Sequence, residues 1–131
     1  MHTTVEIDGK PLEVSTSREA DAILSQRELP LNVEMELDFS CVLCKKVRFH
    51  VDKHQTEPHS REQQEYDQAV HINNKLSVSF RPVMVTQSTN AGVKHHPLTD
   101  FPIVNKRPYV PKWLRIDFRF GHWFGEFGYF N

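Results

Sequence analysis

From Leu31 to Phe39 the chain alternates without a break: Leu31, Val33, Met35, Leu37 and Phe39 are apolar, while Asn32, Glu34, Glu36 and Asp38 are polar. A period of two sustained over this length defines a β-strand with one face toward a core. Its backbone donors and acceptors then require strands beside it. Val47, Phe49 and Val51 alternate in the same way with Lys46, Arg48, His50 and Asp52, giving a second strand after a short connection. Pairing the two with apolar faces aligned sets Phe39 opposite Val47 and Leu37 opposite Phe49. On the polar face it sets Asp38 against Arg48 and Glu36 against His50. Such cross-strand charge pairs contribute about 0.2–1 kcal/mol each and explain the stripes without a function. The row Glu34, Glu36, Asp38 is also a candidate docking face for a basic protein partner.

The rest of the chain is read around this pair. Val5, Ile7, Leu12 and Val14 flank Asp8-Gly9, a turn dipeptide that predicts a β-hairpin. Thr16 and Glu19 have capping-box spacing, and Ala20, Ile23, Leu24 and Arg27 recur at helical intervals before Leu29-Pro30. Residues 53–74 are polar, with Ser60 and Gln63 at capping spacing and a thin stripe of Tyr66, Ala69 and Val70, fitting a surface helix or a loop. Leu76, Val78 and Phe80 open another strand, where Pro82 predicts a bulge or an edge position because it has no N–H to donate. Residues 86–112 lose periodicity and hold Pro97, Pro102, Pro108 and Pro111. Leu114, Ile116, Phe118 and Phe120 form the last strand, and Gly121, Gly125 and Gly128 interrupt an aromatic terminus expected to fold back on the sheet.

The expected class is α+β and β-rich. It has an antiparallel sheet of hairpins, one or two short helices and a long irregular segment before the C-terminal strand. The 131 residues fit one globular domain, 1–131, and 38% hydrophobic content suffices for a core. No run approaches the roughly 18 apolar residues of a membrane helix, and the start, Met1-His2-Thr3-Thr4, lacks the basic and apolar pattern of a leader. A cytoplasmic protein with no membrane role is the expectation.

Net charge is −1, yet it hides a dipolar chain: residues 1–40 carry 3 basic and 9 acidic side chains (net −6), the remainder 13 and 8 (net +5). In the C-terminal half Lys106, Arg107, Tyr109, Lys112, Trp113, Arg115 and Arg119 interleave cations with aromatic rings. That combination suits a single-stranded nucleic acid, gripping the backbone while stacking bases. It is equally the composition of an ordinary sheet with a solvated face. Trp123, Phe124 and Phe127 are candidate protein-binding rings, or core.

Cys41 and Cys44 are too few and too close to staple a secreted scaffold. Spaced as CxxC, they offer two of the four ligands of a zinc tetrahedron, with His50, His54 and His59 near enough in sequence to complete it. Ordinary reduced thiols are the competing reading. Thioredoxin-like exchange requires a helix after the pair, and a strand follows instead. The chain contains no GxSxG, HExxH, GxxxxGK or GxGxxG, so an enzyme with a Cys/His or metal centre ranks third. The leading expectation is a small binding or regulatory module acting on a protein partner, with zinc as a candidate stabiliser. A nucleic-acid-binding module is second.

Overall fold

A computed structural model describes residues 1–39, 44–51, 69–85, 98–100 and 107–130. The chain begins with a hairpin of β1 (His2–Ile7) and β2 (Lys10–Thr16), turned at Asp8-Gly9 with both residues at positive φ. Helix α1 (Arg18–Gln26) follows, then β3 (Leu31–Asp38), β4 (Cys44–His50), β5 (Val70–Asn73), β6 (Leu76–Val85) and the short β7 (Leu98–Asp100). A 3₁₀ turn at Arg107–Tyr109 leads into β8 (Trp113–Arg119) and β9 (His122–Gly128).

The fold is β-rich α+β, and its strands lie in two mixed sheets rather than one antiparallel sheet. Sheet 1 has the order β1-β2-β8-β9 and sheet 2 the order β4-β3-β6-β5, with β7 also paired to β6. β2 runs parallel to β8 and β3 parallel to β6. Alternation marks which residues share a face but carries no information on the direction of a neighbouring strand, so sequence could not reveal the parallel pairs. Leu12, Val14, Leu114, Ile116 and Phe127 of sheet 1 share one core with Leu31, Val33, Met35, Leu37, Leu76, Val78 and Phe80 of sheet 2. Ala20 and Leu24 of the helix join them.

Several boundaries differ from expectation. Ser17, not Thr16, caps α1: its Oγ accepts the Ala20 N–H at 3.1 Å, while Thr16 closes β2 and its hydroxyl donates to Asp21. The β3–β4 register pairs Val33 with Phe49, Met35 with Val47 and Glu34 with Arg48, four residues from the expected pairing. An even shift leaves every side chain on its face, so the pattern alone could not choose between the two. Val70 begins a strand instead of ending a helical stripe; the candidate stripe at Ser60, Gln63 and Tyr66 lies outside the described residues.

Pro82 pairs with Leu37 of β3 on one side, and on the other it falls between the residues of β6 that pair with β5 and those that pair with β7, so among the described residues its position there is that of a local edge. Odd-numbered residues of β6 point their backbone groups to β3, as in Leu31 N–H to Lys75 O (2.8 Å) and Phe39 N–H to Val83 O (2.9 Å). Pro82 therefore turns its missing donor to the other side, where pairing passes from β5 to β7.

Candidate binding face

β8 alternates Leu114, Ile116 and Phe118 toward the core with Trp113, Arg115, Asp117 and Arg119 on the outer face of sheet 1. The tight turn at Phe120-Gly121 pairs Arg119 with His122, which fixes Asp117 opposite Phe124, Arg115 opposite Glu126 and Trp113 opposite Gly128. On the other side, the parallel β2 brings Glu13 beside Trp113 and Ser15 beside Arg115.

The side chains on this face hold one another in place. Trp113 lies over Gly128 so closely that a Cβ there would fall 2.4 Å from the ring. Its indole N–H donates to the Phe130 carbonyl at 2.7 Å. The Arg115 guanidinium stacks over Trp113 at 4.6 Å, and the Arg119 guanidinium over Phe124 at 4.7 Å. Arg119 Nε also meets Asp117 Oδ2 at 2.8 Å. The other oxygen, Oδ1, accepts from Ser17 Oγ at 2.6 Å and from the Phe118 N–H at 2.8 Å. The Ser17 hydroxyl foremost holds the Asp117 carboxyl below its ordinary range; slight desolvation opposes this, and the Phe118 N–H and Arg119 charge add to it.

Between these groups lies an open depression of about 490 Å³, lined by Ser15, Ser17, Arg115, Asp117, Phe124 and Glu126 among others. A second, of about 620 Å³, continues from Ser15 and Arg115 past Glu13, Trp113, His2 and Phe130. Arg115 lines both. The face is thus a trough with stacked arginines along it and carboxylates between them.

Of the seven basic and aromatic residues expected to act together, six are among the described residues, and of these Trp113, Arg115 and Arg119 share this face. Lys112 is exposed just before β8, with its backbone bonded to Glu13 and Gly128. Arg107 lies by the Gly9 turn, and Tyr109 packs edge-on against Phe39 at 5.3 Å. Lys106 lies outside the described residues. Ser15, Ser17 and Glu126 were missed. Glu126 was within reach once Phe120-Gly121 is read as a two-residue turn, because that turn sets the register; Ser15 and Ser17 arrive through the parallel β2–β8 pair, which leaves no local signal.

The other candidate sites disperse. Glu34, Glu36 and Asp38 are 4%, 1% and 7% exposed, so they form no docking surface. Strand order explains it: β3 lies between β4 and β6, so the acids stand between Lys46, Arg48 and His50 on one side and Arg81 on the other. Arg48 reaches Glu36 through Nε at 2.5 Å and Nη2 at 3.4 Å, and His50 Nε2 lies 3.8 Å from Glu34. Phe127 is core, and Trp123 turns inward against Phe49 and Phe118; only Phe124 faces outward.

Cys44 and His50 start and end the same strand, about 20 Å apart at 3.3 Å per residue, so one zinc ion cannot bind both. Cys44 is an exposed free thiol. Cys41, His54 and His59 lie outside the described residues, and among the described residues no three His, Cys, Asp or Glu side chains form a metal-binding group. Nor is any described helix long and apolar enough to cross a membrane.

No family model matches the chain, and no similar curated protein or solved structure is found.

Proposed function

We propose that this protein is a binding module that recognises another protein through the outer face of sheet 1. The observation that carries the reading is the pair of arginines stacked on rings of the outer face, Arg115 on half-buried Trp113 and Arg119 on exposed Phe124. Aromatic and arginine side chains dominate the energetics of protein interfaces. A guanidinium already held against a ring loses less freedom on binding than a free one.

A protein partner is favoured over a nucleic acid by the charges in the trough. Arg115 and Arg119 share it with Glu13, Asp117 and Glu126, and Asp117 already neutralises Arg119. Nucleic-acid binding draws on uncompensated cations that displace counterions from phosphates. Mixed charge suits a partner with complementary charges of its own.

The test is a co-purification from native cells followed by affinity measurement with the purified partner. Arg115→Glu is expected to weaken binding at least tenfold while the chain still melts cooperatively, its melting temperature lowered only modestly by the like charge of Glu126 opposite, and Lys112→Glu has little effect on binding. Equal affinity of Arg115→Glu and the parent chain would refute the reading. Salt-sensitive retention on single-stranded DNA or RNA, lost in Arg115→Glu, would replace it with the nucleic-acid alternative.

A further inference from the structure

Among the described residues the same tight turn occurs twice. In β1–β2 the central residues are Asp8 (φ 51) and Gly9 (φ 78); in β8–β9 they are Phe120 (φ 54) and Gly121 (φ 77). Each joins two antiparallel strands through two residues in the left-handed region, a geometry that favours Asn, Asp or Gly at the first position. Asp8 obeys that preference. Phe120 violates it, because a bulky side chain in this region crowds its own backbone.

Nothing in the fold requires a phenyl ring at this turn. Phe120 is 91% exposed, the most exposed large apolar side chain among the described residues. Its neighbours are otherwise engaged: Phe118 and Trp123 pack against each other at 4.9 Å, Trp123 stacks on Phe49, and Phe124 lies under Arg119. A residue that contributes no core contact and opposes its local conformation is one whose use lies outside the fold.

We propose that Phe120 is an anchor that a protein partner takes into an apolar pocket, with the Arg119–Asp117 ion pair and exposed His122 at the base of the turn meeting complementary polar groups on the pocket's rim. This rests on the protein-binding reading above and names the element that engages the partner. A bilayer is the poorer fit, because interfacial insertion needs several apolar side chains at one depth, and here the rings beside Phe120 turn inward or lie under a guanidinium.

The internal comparison with Asp8 supplies the variant. Phe120→Asn gives the second turn the kind of residue the first already uses, so its melting temperature is expected to equal or exceed that of the parent chain. A photoreactive phenylalanine analogue at position 120 identifies what the ring touches in native cells. The cross-linked protein is then purified and its Kd measured, with Phe120→Asn expected to bind at least tenfold more weakly. Cross-links to lipid alone, to a second copy of the chain, or to nothing would overturn the proposal. So would an unchanged Kd, or a lower melting temperature for Phe120→Asn. If Phe120→Asn binds normally and Arg115→Glu does not, the anchor is wrong and the outer-face reading stands; the opposite result separates them the other way.

Discussion

Gly125 and Gly121 lie on one hairpin and are glycine for different reasons. At Gly125 the backbone is ordinary, but an added Cβ would fall 2.5 Å from Val47 Cγ1 and 2.9 Å from Phe49 Cζ, because β4 crosses β9 there. At Gly121 there is open space but φ is +77. Gly125→Ala is therefore expected to cost about 1–3 kcal/mol by overpacking. Gly121→Ala should cost about 1–2 kcal/mol through its left-handed backbone. Urea midpoints at unchanged slope measure both. Asp117 supplies a pH dependence at the same scale. Its folded-state pKa is depressed, foremost by Ser17, so the stability it adds is present above the ordinary carboxylate value of about 3.9 and is lost as pH falls through the lower folded value. The melting-temperature gap between the parent chain and Asp117→Asn should thus be largest near neutral pH and narrow toward pH 2. A gap constant with pH would show that the charge contributes nothing.

Strand β3 shows how an element can be legible in its pattern and misread in its setting. Its alternation is unmistakable, and an acidic face opposite an apolar one reads as solvent-exposed. Placed between β4 and β6, the same acids are covered and matched by Arg48, His50, Lys46 and Arg81. A buried carboxylate left without its cation retains the cost of its desolvation. Arg48→Ala should therefore destabilise the protein by about 1–3 kcal/mol. Adding Glu36→Leu should recover part of that loss, giving a coupling of roughly 0.5–3 kcal/mol in a double-mutant cycle. Additive losses would place Glu36 and Arg48 outside each other's influence. β9 is the converse case: three glycines suggested an interrupted terminus, yet Gly125 and Gly128 lie within a regular strand because β4 and the Trp113 ring approach it closely.

Across the whole molecule, the two sheets depend on pairings between distant parts of the chain. β8 completes sheet 1 against β2, and Leu114, Ile116 and Phe127 belong to the shared core. A chain ending at Lys112 would lose these residues and leave β2 with an unpaired edge. It is expected to show no cooperative thermal transition, whereas the 131-residue chain melts cooperatively; a cooperative transition in the shortened chain would show that sheet 2 and the first hairpin suffice. The candidate binding face is equally non-local. Trp113, Arg115 and Arg119 are recognisable as a period-two set, but Ser15 and Ser17 reach them from the other end of the chain. The amino-acid sequence by itself determined the first hairpin with its Asp8-Gly9 turn and the alternating strands β3, β4 and β8 with the inward face of each, because these follow from backbone sterics and side-chain alternation over a few residues; it did not show the Phe120-Gly121 turn, where Phe120 reads as one more strand residue. Tertiary structure alone decided the parallel pairings, the β3–β4 register and the burial of the acidic row. Those depend on which strand lies beside which, and hydrophobic alternation is the same for every neighbour that covers the same face.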